Sequence, residues 1–96
     1  MKTYLYKITN KRNGSAYVGI ARNIIKRWKK HCRVANKSCP QMAIAAAIKK
    51  YGKDAFIVEE LACYATKAEA GAAEVRLIAK LQCSTRLYNR SIGRVS

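Results

Sequence analysis

Acidic residues are scarce in this sequence. Its 96 residues contain 5 Asp and Glu against 20 Lys and Arg, which gives a formal net charge of +15. A small domain with so much charge of one sign repels itself unless an anionic partner screens it. Nucleic acid is therefore the first partner to expect, and a membrane surface is the alternative.

Long apolar runs are also missing. No segment approaches the ~20 apolar residues that span a bilayer, and no stretch joins a wholly basic face to a broad apolar one. Residues 1–4 lead directly into a strand pattern, without the hydrophobic core of a signal peptide. We expect no membrane association and a cytoplasmic, nucleoid-associated location.

Closely spaced cysteine pairs are absent as well. The four cysteines form no C-x-x-C pair, so neither a zinc ribbon nor a redox motif is indicated. We expect buried, reduced thiols at Cys32, Cys39, Cys63 and Cys83.

The length leaves little material for a second hydrophobic core. Ninety-six residues fit one compact domain, and 50% of them are hydrophobic and patterned, unlike those of a disordered basic tail. The sequence predicts a single domain over residues 1–96.

The first part of the chain has the pattern of a β-hairpin. Two alternating segments flank Asn13-Gly14, a strong hairpin signal, and they are TYLYKIT and SAYVGIA at residues 3–9 and 15–21. A two-residue turn at 13–14 or at 11–12 would join them. In either register Tyr6 and Tyr17 point to the same face of the hairpin.

A helix follows the hairpin. Asn23 is suited to cap it, and residues 24–35 carry an apolar stripe. Arg27 and His31 are spaced i and i+4, so they lie together on a flank of that stripe. The stripe consists of Ile24, Ile25, Trp28 and Cys32.

The rest of the chain predicts two more helices and a strand. A second helix starts at Ser38 or Cys39, before Pro40, and ends at Gly52; a third strand covers 55–63; and a capping box at residues 66–69 starts a helix to about 82. The order ββ-α-α-β-α predicts an α+β fold, a small three-stranded antiparallel sheet flanked by helices.

Glu74 is an unusual residue of the last helix, because it lies one turn before Leu77 and Ile78 on the apolar face. A carboxylate at the margin of a core needs a cation, a metal or several donors, since burial without a partner costs several kcal/mol. Alternatively, Glu74 extends into solvent or pairs with one of the many Lys and Arg residues.

A handful of side chains offer the parts of phosphodiester hydrolysis. That reaction needs a group to deprotonate water, a cation for the phosphate and usually a hard metal held by carboxylate oxygen. Each residue also has a structural interpretation: strand packing for the tyrosines, a solvated charge for the arginine and a satisfied structural role for the histidine. The candidates are Tyr6, Tyr17, Arg27, His31, Glu74 and Asn89.

The order of these residues resembles that of the GIY-YIG nuclease superfamily. The segment YLYKITNKRNGSAYVGIARNIIKRWKKH is similar to its first strand, its Asn- and Gly-containing turn, its Y-I-G strand and its helix with a K-R-W-x-x-H run. A glutamate in AEVRLIAKL and the pair Tyr88-Asn89 continue the likeness, which covers roughly residues 4 to 89. The catalytic domains of phage homing endonucleases are the most similar members.

The resemblance implies a divalent-metal-dependent DNA endonuclease using Mg²⁺ or Mn²⁺. It implies Tyr6 as the general base or water-orienting phenol, with Tyr17 placing water or phosphate beside it, and Arg27 as the ligand of the scissile phosphate. His31 would assist proton transfer, Glu74 would hold the metal and Asn89 would support the site.

DNA would be bound mainly through a basic surface on the first helix. We expect contacts from Lys26, Arg27, Lys29, Lys30 and Arg33. Relatives often have a separate targeting domain, so we expect targeting to come from the basic surface, a homodimer or a partner protein. Tyr4 stands where the family usually has glycine, and a catalytically inactive DNA- or RNA-binding module of the same fold is the alternative.

Overall fold

A computed structural model describes residues 2–36 and 43–89 of the chain. The elements, in order, are β1 (Thr3–Asn10), β2 (Ala16–Ala21), α1 (Ile24–Ala35), α2 (Ala43–Tyr51), a 3₁₀ turn (Lys53–Ala55), β3 (Phe56–Tyr64) and α3 (Lys67–Leu81). This order confirms the predicted ββ-α-α-β-α arrangement. The predicted start of the second helix, at Ser38 or Cys39 before Pro40, lies outside the described residues.

The three strands form one antiparallel sheet in the order β2-β1-β3. Tyr6 lies opposite Gly19, and Ile8 lies opposite Tyr17. Directly opposite residues share a face, so Tyr6 and Tyr17 project from the same side of the sheet, as the sequence predicts. A bulge between β1 and β3 follows Leu5.

The two-residue turns predicted for the hairpin are wrong. Four residues, 11–14, form the loop, and the Asn10 N–H donates to the Ser15 carbonyl at 2.8 Å. Asparagine side chains explain the longer loop: Asn10 Oδ1 accepts from the Arg12 N–H at 2.8 Å, and Asn13 Oδ1 accepts from the Ser15 N–H at 2.9 Å. The observed strand register lies midway between the two predicted registers. Tyr6 and Tyr17 therefore still project from the same face of the sheet.

Helices cover both faces of the sheet. One apolar cluster joins the face that carries Tyr6 and Ile8 to α1 and α2, and Trp28 and Phe56 contribute to it with ring centroids 6.2 Å apart. A second cluster joins the opposite face to α3; it consists of Leu5, Val18, Ala73, Ile20, Ala62, Tyr64, Leu77, Ile78 and Leu81. The central strand is therefore buried between two helical layers, which is why β1 can hold a polar site in a dry environment.

The predicted starts of α1 and α3 are present. The Asn23 side chain accepts from the Lys26 N–H at 3.0 Å, and Thr66 Oγ1 accepts from the Glu69 N–H at 3.2 Å. The Thr66 hydroxyl also donates to Glu69 Oε1 at 3.3 Å. These contacts satisfy N–H groups that have no partner within the helix.

Two predictions about buried side chains are wrong. The sequence places Ile25 in the apolar stripe of α1, but this side chain is 68% exposed. The buried residues of the helix are His31 and Ala35, which lie on a different face from Ile25. Cys63 and Cys83 are also exposed, as free thiols at the end of β3 and just after α3. Cys39 lies outside the described residues.

The chain after α3 returns to the sheet. The Ala16 N–H donates to the Arg86 carbonyl at 2.9 Å, and the Tyr88 N–H donates to the Ala16 carbonyl at 2.7 Å. The contact forms a parallel bridge, Ala16 to Leu87, on the outer edge of β2. In the part of the chain that the structure describes, no helix is long and apolar enough to cross a bilayer.

Candidate active site

Three aromatic side chains meet between the sheet and α1. The ring centroids of Tyr6 and Tyr17 are 6.2 Å apart, and those of Tyr17 and His31 are 5.2 Å apart at a steep angle. Tyr6 is 1% exposed and His31 is 3% exposed, so both lie among apolar neighbours. The hairpin supplies the two phenols, and one turn of α1 supplies the imidazole.

Gly19 makes this approach of the phenols feasible. A Cβ at this position would lie 2.7 Å from Tyr6 Oη, 2.8 Å from Tyr6 Cζ and 3.0 Å from Tyr17 Cε2. The first two distances are shorter than any tolerable contact. The glycine of the Tyr17-Val18-Gly19 motif therefore makes room for the Tyr6 ring. This role can be recognised only when the strand pairing is known.

His31 is neutral near pH 7. Burial, together with the positive charges of Arg27 and Lys30, lowers the pKa of its imidazole to about 4. Burial also raises the pKa of Tyr6, and the neighbouring Tyr17 adds to that effect. Tyr6 Oη and His31 Nε2 lie 3.3 Å apart, and the tautomer of the neutral imidazole determines which of the two atoms donates the proton.

Arg27 supplies the positive charge of the cluster. Its Nη1 donates to the Ile20 carbonyl at 3.3 Å, which ties the guanidinium to the end of β2. Its charge opposes the effect of burial by lowering the pKa of both Tyr6 and Tyr17. Arg27 is half-buried, so part of the guanidinium remains accessible to an anion.

Glu74 acts on the same cluster from α3, which packs on the other side of the sheet. Burial is the main cause of the raised pKa of Tyr17, and the negative charge of Glu74 adds to that effect. Burial raises the pKa of Glu74 itself. Among the residues that the structure describes, no hydrogen bond or ion pair satisfies this carboxylate, although the protein is strongly basic.

Asn89 supports the strand that carries Tyr17. Its Nδ2 donates to the Val18 carbonyl at 2.6 Å, and its Oδ1 accepts from the Val18 N–H at 2.9 Å. One amide side chain thus replaces a neighbouring strand at the edge of β2. The adjacent Tyr88 hydroxyl accepts from Asn10 Nδ2 at 3.2 Å, which anchors the segment further.

Tyr4, which stands where the family pattern has glycine, lies at the far end of the hairpin. It faces the same side of the sheet as Tyr6 but lies opposite Ala21, two pairs beyond the Tyr6 and Gly19 pair. The two phenols of β1 are therefore separated by about 7 Å along the strand.

A cleft of about 500 Å³ opens beside Arg27, and six cationic side chains line it: Arg22, Lys26, Arg27, Lys30, Arg33 and Lys67. We call it the basic cleft. Four of the five predicted nucleic-acid-binding residues are in this set, and Lys29 is not. Arg22 and Lys67 were missed in the sequence, although Lys67 precedes Glu74 by two helical turns.

The fold and the site together define a class of protein, an α+β domain with a tyrosine, arginine and glutamate cluster at the edge of its sheet. The chain belongs to the GIY-YIG catalytic domain family, whose model matches residues 2–89. Family membership supports nuclease activity.

Two solved structures are similar to this chain. The catalytic domain of homing endonuclease I-TevI has 27% identity and a TM-score of 0.76, and the match covers 92% of this chain and 97% of that domain. A mutant form of the catalytic domain of intron endonuclease I-TevI has 29% identity and a TM-score of 0.68, with 85% and 86% covered. These matches confirm the predicted fold.

A curated relative is the intron-associated endonuclease 1 of Enterobacteria phage T4. It is 34% identical over 64 residues, which are 64% of this chain and 26% of the relative. The match therefore spans about a quarter of that relative's length.

Proposed function

We propose that this chain is a divalent-metal-dependent endonuclease that hydrolyses DNA phosphodiester bonds. The observation that carries the proposal is the packing of Tyr6, Tyr17 and His31 in one cluster beside the fixed Arg27 side chain, on which the charge of Glu74 also acts. Its relative in phage T4 is named an endonuclease, and the similar solved domains are endonuclease catalytic domains. DNA is the substrate we propose for this chain.

Glu74 fits the role of metal ligand. It is half-buried, burial raises its pKa, and the described residues offer it no cation. No group of three or more His, Cys, Asp or Glu residues is present in the described part of the chain, so a closed protein cage is not formed there. Mg²⁺ or Mn²⁺ suits one carboxylate completed by waters and substrate phosphate oxygens.

GIY-YIG nucleases generally use divalent metals. A bound ion would stabilise negative charge on the phosphate and on the leaving oxygen. The chain's own residues then have to orient the phosphate and accept a proton from the attacking water.

Tyr6 and His31 form a route for that proton. In the tautomer with its proton on Nδ1, His31 accepts at Nε2 from the Tyr6 hydroxyl, and the phenol oxygen can then accept a proton from water. As water attacks phosphorus, its proton passes to Tyr6 Oη while the original phenol proton moves to Nε2. The phenol stays neutral, and the neutral imidazole becomes imidazolium beside the negatively charged transition state, so no free phenolate is needed.

Arg27 and Tyr17 position the phosphate in this scheme. The guanidinium is fixed through Ile20 and keeps further donors free for two phosphate oxygens. Tyr17 lies between His31 and Glu74, where its hydroxyl orients the attacking water or the phosphate. One such centre cuts one strand per encounter, so a double-strand break requires a second copy or re-engagement.

The test is digestion of supercoiled plasmid by the wild-type protein and by Glu74→Ala, with Mg²⁺ or Mn²⁺ and with EDTA. We expect metal-dependent nicking by the wild type and at least about 100-fold slower nicking by Glu74→Ala, because several kcal/mol of charge stabilisation is lost. Glu59→Ala is the matched control, since this exposed carboxylate pairs with Lys7 at 4.0 Å.

A wild-type protein that binds DNA and leaves it intact, across metals and pH, would contradict the proposal. That result would favour the alternative, an inactive nucleic-acid-binding module of the same fold. Equal losses in Glu74→Ala and Glu59→Ala would also contradict it.

A further inference from the structure

The basic cleft contains more positive charge than the Arg27 guanidinium, the group proposed to bind the reacting phosphate. Of its six cations, only Arg27 belongs to the proposed catalytic residues, and the described residues that line the cleft include no carboxylate. Arg22, Lys26, Lys30, Arg33 and Lys67 are all exposed. The one ion pair of the described residues joins Lys7 to Glu59, so none of these cations is neutralised within that part of the chain.

One wall of the cleft is a row of charge on α1. Lys26, Lys30 and Arg33 follow the spacing i, i+4, i+7, so they share one face of the helix. The row is about 10 Å long, because a helix rises 1.5 Å per residue. In one strand of DNA, phosphates advance about 3.4 Å along the axis per nucleotide, so the row matches roughly three of them.

The opposite wall comes from the helix that holds Glu74. Lys67 lies seven residues before Glu74 and therefore on the same face of α3, about 10 Å away along its axis. One rigid helix thus fixes the separation between the carboxylate of the catalytic cluster and a cation of the cleft. Arg22, between β2 and α1, lies at the end of β2 where the Arg27 side chain is held.

We propose that the basic cleft binds the backbone of one DNA strand over about three phosphates next to the cleaved one, with Lys67 and Arg22 as binding residues. The inference rests on the proposed function in one respect, that Arg27 holds the scissile phosphate. A row of cations on two walls suits a chain of phosphates better than a single anion. Positive charge elsewhere on the protein contributes little to this contact.

The test is the salt dependence of DNA binding, measured by fluorescence anisotropy with a labelled duplex of about 20 base pairs in EDTA. The logarithm of the binding constant falls with the logarithm of salt concentration by about 0.9 per phosphate contact. Lys67→Gln and Arg22→Gln should each reduce the steepness of that slope by about 0.9 and weaken binding similarly on unrelated sequences.

Lys80→Gln is the matched control. Lys80 is on the same helix, has the same charge and is exposed, but it lines a separate groove with Tyr64 and Leu77. Its slope should equal that of the wild type. Equal changes in Lys67→Gln and Lys80→Gln would overturn the inference, as would a wild-type protein that does not bind the duplex.

Plasmid nicking separates this inference from the proposed function. In a nuclease, Lys67→Gln should raise KM with kcat changed less than about twofold, because Lys67 does not contact the reacting atoms. A protein that never nicks but shows the Lys67 and Lys80 difference in binding would retain the cleft and lose the catalytic proposal. A protein that nicks plasmid but shows no difference in binding between Lys67→Gln and Lys80→Gln would retain the catalytic proposal and contradict the proposal for the cleft.

Discussion

Acid should destabilise the folded protein through His31. The folded state lowers the pKa of this imidazole from an ordinary 6.5 to about 4, with burial as the main cause. Between these two pH values the unfolded chain binds a proton that the folded protein does not, so stability falls as pH falls. Each pH unit in this window corresponds to about 1.4 kcal/mol. Acidification from pH 6.5 to 4 should therefore cost up to about 3 kcal/mol.

Urea unfolding followed by circular dichroism, at half-unit steps from pH 7 to pH 4, measures this cost. The control is His31→Gln, which removes the titrating group and keeps a polar side chain. The variant should start less stable at pH 7, because the hydrogen bond to Tyr6 is altered. Its stability should then fall less steeply with acid, and the two curves should converge towards pH 4.

Parallel curves would refute the argument. A slope that is the same with and without the imidazole would mean that other groups account for the acid sensitivity, and that His31 is not held in its neutral form. The scheme in which Nε2 receives the proton of Tyr6 would then lose its basis. In the scheme as proposed, nicking activity should be unaffected by titration of His31 down to about pH 5.

Three substitutions probe the cluster itself. Gly19→Ala should destabilise the protein by about 1–3 kcal/mol and abolish nicking, because its Cβ would lie 2.7 Å from Tyr6 Oη. Tyr6→Phe should abolish nicking and lower the free energy of unfolding by about 1 kcal/mol, since the hydrogen bond with His31 disappears. Asn89→Ala should lower the free energy of unfolding by about 1–3 kcal/mol, because the Val18 N–H and carbonyl lose their hydrogen-bond partners. Urea unfolding and plasmid nicking measure each effect.

Gly71→Ala is the control for the glycine substitution. Gly71 is within α3, and a Cβ there would meet nothing within 4 Å, so the change should stabilise the helix by roughly 0.5–1 kcal/mol. Equal stability of Gly19→Ala and the wild type would contradict the proposed contact. Full activity of Tyr6→Phe would rule out the proton route, and an unchanged Asn89→Ala would show that β2 does not need its edge partner.

Local chemistry was sufficient to predict the elements and their order. Asn23 and Thr66 cap helices through contacts within three residues, so their role is visible in the sequence. Tyr6 and Tyr17 share a face because side chains alternate along a strand, and that held although the predicted turn was wrong. Family resemblance then supplied the candidate site residues, whose catalytic roles stay predictions.

Only the tertiary structure decided how those residues meet. The charge of Glu74 acts on Tyr17 although α3 packs on the face of the sheet opposite α1, and helical periodicity alone carries no information on that packing. The need for glycine at position 19 likewise follows from strand pairing with Tyr6. Contacts between residues far apart in sequence depend on packing, and packing is decided by the whole chain at once.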